Sequence, residues 1–181
     1  MIIVITGRPG IGKTTVFTKV VEKVRKYGFV VGGIVCPEVR VSNVRVGFKI
    51  VNLMSGEEGW LARQSINCRP ELRVSKYCIE VRDVVSVGVK ALMDATANAD
   101  IVCIDEIGPM ELRVKELRDA IIGTLRNSRN VLAVTHWRLE DKNILELVKS
   151  AIKYEVNIGN RDILPNIISD KLLQNLTSSK T

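Results

Sequence analysis

The chain has 181 residues, 46% hydrophobic and 26% charged, a composition that suits one globular domain with a substantial core. Its net charge of +7 admits anionic partners, nucleic acid among them. No basic run is interleaved with aromatics, and no apolar run approaches a membrane span, so a single-strand stacking platform is weakly supported and a membrane protein is not expected.

Ile2 to Ile5 form a short β-branched run, the mark of a buried central strand, and begin too early to leave room for a signal peptide. Gly7-Arg8-Pro9-Gly10-Ile11-Gly12-Lys13-Thr14 then fits G-x-x-x-x-G-K-[ST] at every fixed position. Behind it Val16, Phe17, Val20, Val21, Val24 and Tyr27 recur at one-face helical spacing, and Gly28 supplies the stop. Strand, glycine loop and helix together are the context the motif requires. The glycines free the backbone so that consecutive N–H groups converge on phosphate oxygens, and the helix N-terminus adds partial positive charge. The segment Gly7 to Thr15, Arg8, Pro9, Ile11 and Thr15 included, is the expected phosphate cradle. Within it Lys13 reaches the β- and γ-phosphates, and the Thr14 hydroxyl ligates magnesium.

Phe29 to Cys36 reads as the second strand, where Gly32-Gly33 weaken it or permit close backbone approach. Pro37 breaks the run, and from Val39 to Leu61 the period becomes two, with Val44, Val46, Phe48 and Ile50 alternating against Arg45, Gly47 and Lys49. Antiparallel hairpins, about residues 39–63, are expected as an elaboration at the sheet edge. Lys76 to Val81 is a strand candidate, and Val84 to Met93 a helix with Asp83 as cap. Cys36, Cys68, Cys78 and Cys103 show no C-x-x-C pair, so a zinc site is not expected. Cys36 and Cys103 read as core residues, and this cysteine usage fits a reducing cytosol.

Ile101-Val-Cys-Ile104 is a second fully apolar run, followed by Asp105 and Glu106. A parallel strand buried on both faces delivers Asp105 to its carboxyl end, where ligands bind in open α/β sheets. Asp105 can hold magnesium opposite Thr14, and Glu106 is a candidate for polarising the attacking water. A helix over Val114 to Leu125, a strand over Val131 to Val134, a helical face over Ile144 to Ile152 and a strand over Tyr154 to Ile158 follow. A terminal helix capped at Asp162 leads to a frayed tail, residues 177–181. Strands alternating with helices predict a doubly wound, mostly parallel α/β sheet in one domain, residues 1–176.

These residues carry a resemblance. Asp105-Glu-Ile-Gly-Pro-Met-Glu111-Leu with the N-terminal glycine loop is similar to the thermophilic-type nucleoside-triphosphatase family, whose human relative is described as cancer-related NTPase. Val46-Gly-Phe-Lys-Ile-Val51 with Leu61-Ala62-Arg63, Arg73-Val-Ser-Lys-Tyr77 and Asn160-Arg-Asp-Ile-Leu-Pro165 also resemble that family's segments, in its order. Ser75 stands where the family usually has glycine, and Trp137 lies in a stretch that is more basic in relatives. The resemblance implies a monomer-sized, RecA-like P-loop domain; the cytoplasmic placement expected here rests on the cysteine usage. The resemblance also implies magnesium-dependent hydrolysis of ATP, GTP, CTP and UTP to the diphosphate and phosphate, with low turnover and loose base preference.

Such a hydrolase gains from a cation that neutralises transition-state charge. Arg138 and Arg161 both fall after parallel strands and are the candidates; the plain alternative is a surface ion pair, such as Arg161 with Asp162. His136, the one histidine, is either a γ-phosphate sensor or a satisfied structural residue. Trp60 and Trp137 are candidates for stacking a base, with packing the plainer reading for Trp60, and Glu111 reads as structural or as an orienter of Asp105 or Arg138. Two other functions fit less of the pattern: a small nucleotide or nucleoside kinase, and a nucleotide-responsive binding module for nucleic acid or a partner.

Overall fold

The computed structural model describes residues 1–178. Their strands are β1 (Ile2–Thr6), β2 (Val31–Val35), β3 (Glu38–Val41), β4 (Val44–Asn52), β5 (Glu58–Gln64), β6 (Arg73–Val74), β7 (Tyr77–Ile79), β8 (Ile101–Ile107), β9 (Val131–Thr135) and β10 (Ile152–Glu155). All join one sheet in the order β10-β1-β9-β8-β2-β4-β5-β7-β6, with β3 pairing β4 off that path. Neighbours from β10 to β2 run parallel, and those from β2 onward, with the β3–β4 pair, run antiparallel.

Period-two alternation explains the layers. Ile3, Ile5, Cys103, Leu132 and Val134 pack with Val16, Phe17 and Val20 of α1 (Lys13–Lys26) and with the terminal helix. Val4, Val102, Ile104, Val131 and Ala133 point to the opposite face. There they meet a helical stretch formed by α2 (Val81–Asp83), a π-helical turn (Val84–Val89) and α3 (Lys90–Asn98), together with α4 (Lys115–Asn127). The short α5 (Lys142–Leu147) contributes Ile144 to this side, and α6 (Leu164–Ser178) contributes Ile168 and Leu172 to the other. The result is a parallel sheet with helices on both faces, extended at one side by antiparallel strands. None of the described helices is long and apolar enough to cross a membrane.

Several expectations change in detail. The inserted sheet runs from Glu38 to Ile79, well beyond the hairpins expected over 39–63. Asp83 does not cap a helix; it sits in helical geometry, and its carboxylate accepts the backbone N–H of Trp60 at 2.8 Å. The helical face expected through Ile152 ends at Leu147, and Ile152 opens β10. That short helix is capped by Asp141, which accepts from Asn143 and Ile144, both at 3.1 Å. Thr177 and Ser178 lie in the last turn of α6, whereas the rest of the expected tail, 179–181, is outside the described residues.

Cys68 and Cys78 form a disulfide across ten residues. A reducing cytosol therefore no longer follows from the cysteines. Cys103 is a free, buried core residue as expected, while Cys36 is only half-buried. Ser75, at the position where glycine is usual, has φ 55°, a left-handed conformation that glycine adopts without a Cβ penalty.

Gly33 shows what close strand approach demands. Its φ is +112°, and a Cβ there would lie 2.0 Å from the Cys103 carbonyl oxygen of β8. No side-chain rotation relieves a clash with backbone. Gly33→Ala is expected to cost about 3 kcal/mol or more. That corresponds to a fall in Tm of roughly 6–12 °C, checked by thermal melting against the native chain.

Candidate active site

The site forms where β1 and β8 end on either side of β9. The chain leaves β1 through Gly7, whose Cβ position lies 2.8 Å from the Val156 carbonyl oxygen, so only hydrogen fits. It enters α1 through Gly12, which has φ 107° and starts the helix without a side-chain cap. The first-turn N–H groups of α1 are thereby left for an anion.

Lys13 is the first residue of α1, with its side chain only 8% exposed. A buried ammonium needs an anionic partner, and here Glu106 supplies one, with Oε2 3.8 Å from Nζ. One residue on, Thr14 Oγ1 donates to Asp105 Oδ1 at 3.4 Å. Neighbouring residues on a regular strand point to opposite faces, yet Asp105 and Glu106 both reach the phosphate loop. The cause lies in the β8–β9 pairing, whose register shifts between Ile104 and Ile107. The Asp105–Glu106 peptide bond is cis.

Two carboxyls here sit in low-dielectric surroundings. Burial pushes Asp105 up to about 7, partly offset by the Thr14 hydroxyl bond, with the Glu106 charge raising it and Lys13 lowering it. Burial likewise pushes Glu111 up to about 8, and the charges of Glu106 and Asp105 add to the effect. Glu111 Oε2 accepts the Gly108 N–H at 3.1 Å and so braces the turn after β8. The reading of Glu111 as structural agrees with this contact.

A cleft of about 750 Å³ opens beside the loop. Its near wall is the phosphate loop with Asp105 and Glu106; its far wall is the start of the inserted sheet, Glu38, Arg40, Arg45 and Phe48. Sequence reasoning did not single out this far wall. Alternation marked Arg45 only as solvent-facing, and what a solvent-facing strand looks toward depends on long-range pairing.

The two candidate arginines differ in placement. The Cδ of Arg161 lies 3.9 Å from where a Cβ on Gly12 would stand, which puts its side chain against the phosphate loop. The turn before it is fastened by Asn160, whose Oδ1 accepts from Asn157 N at 2.8 Å and whose Nδ2 donates to the Glu155 carbonyl at 2.9 Å. Among the described residues no ion pair joins Arg161 to Asp162. Arg138 instead stacks on the exposed Trp137 ring at 4.0 Å and is not part of the cleft wall. His136 does line the cleft, and its Nδ1 accepts the Arg138 N–H at 3.2 Å. Arg8 is exposed and outside the cleft wall, and Trp60 is half-buried under Lys49.

The two raised carboxyls make stability depend on pH. Each holds its proton in the native chain at pH values where the unfolded chain has lost it. Their contribution is full below the unfolded values near 4 and is lost as pH rises through about 7 and 8. Thermal melting without metal or nucleotide should therefore show Tm falling from pH 5 to pH 9. Asp105→Asn or Glu111→Gln should each flatten that slope.

The comparisons with known proteins fit this geometry. The NTPase family model matches residues 2–169. The nucleoside-triphosphatase THEP1 of Hyperthermus butylicus is 43% identical over 182 residues, covering 98% of this chain and 94% of that protein. THEP1 of Thermofilum pendens is 43% identical over 89% of each chain. Among solved structures, the crystal structure of THEP1 from Aquifex aeolicus matches with TM-score 0.82 at 30% identity, over 95% of this chain and 99% of that one. The solution structure of a human cancer-related nucleoside triphosphatase matches with TM-score 0.76 at 29% identity, over 93% and 95%. The phosphate loop, the acidic strand beside it and the full-length likeness together place this chain in the NTPase family.

Proposed function

We propose that the chain hydrolyses nucleoside triphosphates, ATP, GTP, CTP and UTP alike, to the diphosphate and phosphate with magnesium. The observation that carries this reading is the pairing of Lys13 with Glu106 and of Thr14 with Asp105 at the mouth of one cleft. Phosphate oxygens arriving at the loop would replace Glu106 as partner of the Lys13 ammonium. Glu106 is then free to accept a proton from water attacking the γ-phosphorus. Arg161, held beside Gly12 by the Asn160 turn, is the cation proposed to act on the developing charge, and it acts in cis.

A hydroxyl and a buried carboxylate side by side are hard oxygen donors, a set that fits magnesium. Thr14 and Asp105 would hold the ion, which would supply charge neutralisation to the triphosphate. A cation there favours the charged form of Asp105 and offsets the cost of its burial. Loose base preference is part of the proposal, since the contacts that carry it, Lys13 with Glu106 and Thr14 with Asp105, engage phosphates and metal and not a base. Nucleoside triphosphates are a cytoplasmic pool, so a cytoplasmic working form is proposed, and because the phosphate loop, the acidic pair and Arg161 all come from one chain it is proposed as a monomer.

Phosphate release from the four triphosphates with magnesium, and no acceptor added, tests the reading. Lys13→Ala should lower release by on the order of 10²–10³-fold and weaken nucleotide binding. Glu106→Gln should slow hydrolysis about 10²–10⁴-fold with nucleotide affinity within a few-fold of native. A Gln variant hydrolysing at the native rate would remove Glu106 from the role of base.

A further inference from the structure

The triphosphate reading uses only the near wall of the cleft. The far wall has no part in it and is more open, with the Glu38, Arg40 and Arg45 side chains about half exposed. Strand β3 brings Glu38 and Arg40, and strand β4 brings Arg45 and Phe48, to face the phosphate loop across the opening. The arginines are held, not waving. Arg40 Nε donates to Glu38 Oε1 at 2.7 Å and its Nη1 to the Asn43 carbonyl at 3.0 Å. Arg45 Nη1 donates to Glu38 Oε2 at 3.2 Å, its Nε to the Tyr77 hydroxyl at 3.0 Å, and its guanidinium lies 5.1 Å from the Phe48 ring centroid. One carboxylate thus orients two guanidinium groups, and the Nη2 of each makes no hydrogen bond among the described residues. Phe48, Val74 and Met110 add apolar surface to the same cleft.

From these facts we infer that the far wall is a second ligand site, which takes a phosphomonoester with a flat, apolar body, of the nucleoside monophosphate class. The chemistry is direct. Two fixed guanidinium groups offer remaining donors to a phosphate dianion, and the net charge of the trio with Glu38 is still positive. The Phe48 ring and the Val74 and Met110 side chains suit a planar ring better than they suit a free inorganic ion. The cleft of about 750 Å³, near wall included, is in the size range of small-molecule sites. The inference rests on the triphosphatase reading for the identity of the near wall only.

The experiment is calorimetric titration of AMP and of CMP into the full chain, held with magnesium and a non-hydrolysable ATP analogue. Both monophosphates should bind, and inorganic phosphate should bind at least about tenfold more weakly. Arg40→Ala and Arg45→Ala should each weaken AMP about 10–100-fold, while the affinity for the ATP analogue, titrated separately, stays within about threefold. Because Arg45→Ala also removes a contact to Tyr77, Arg40→Ala and the charge-keeping Arg45→Lys are run beside it with melting curves. Absence of saturable AMP binding, or inorganic phosphate binding as tightly as AMP, would overturn the proposal. So would loss of the ATP analogue in the arginine variants, which would assign the far wall to the triphosphate. Lys13→Ala fails on the analogue alone if the near wall is read correctly, so the two readings fail separately.

Discussion

Strand β9 is the constraint on which the site depends. It pairs with β1 on one side, Ile5 against Val134, and with β8 on the other, Ile104 against Ala133. The phosphate loop and the acidic pair leave from different strands, separated by about ninety residues of chain, and one intervening strand sets their distance. Every residue of β9 is buried, Val131 to Thr135. A strand packed on both faces has little freedom to slide, since a slip by one residue would exchange its two faces. The contacts of Thr14 with Asp105 and of Lys13 with Glu106 inherit that rigidity.

The same arrangement sets an electrostatic tension. Lys13, Asp105 and Glu111 are all buried near one another, and three carboxyls share the space with one ammonium. Without ligands, burial holds Asp105 and Glu111 toward their neutral forms, while Glu106 is the partner of the Lys13 ammonium. A site of this kind costs stability and gains it back when a polyanion and its counter-cation arrive together, so binding and folding are coupled through the same few groups.

What the sequence disclosed follows the range of the interactions involved. The phosphate loop is local: its glycines, its lysine and the helix behind it lie within one short segment, and periodicity suffices. Asp105 was legible because an apolar run long enough to be a central strand must end at the ligand-binding edge. The far wall was not legible, because it depends on β4 turning back against β2, with Val35 opposite Val51, a pairing that alternation alone does not select. Cys68 and Cys78 gave no spacing signal, and their pairing depends on where the chain after β5 folds back to β7. Asp83 misled for a related reason: the helix began earlier than its propensities suggested, and the carboxylate found a strand N–H instead of a helix end.

The ends of the sheet have a consequence of their own. A ten-stranded sheet with exposed borders is a template on which another chain can add, unless its borders are made unattractive. Here the last strand on one side, β6, is two residues long. On the other side β10 turns Lys153 and Glu155 outward, and the off-path β3 carries Glu38 and Arg40. Short length and alternating charge leave an incoming strand few hydrogen bonds to gain and charged groups to desolvate. The residues that furnish the cleft's far wall therefore also stand guard over one of the sheet's open borders.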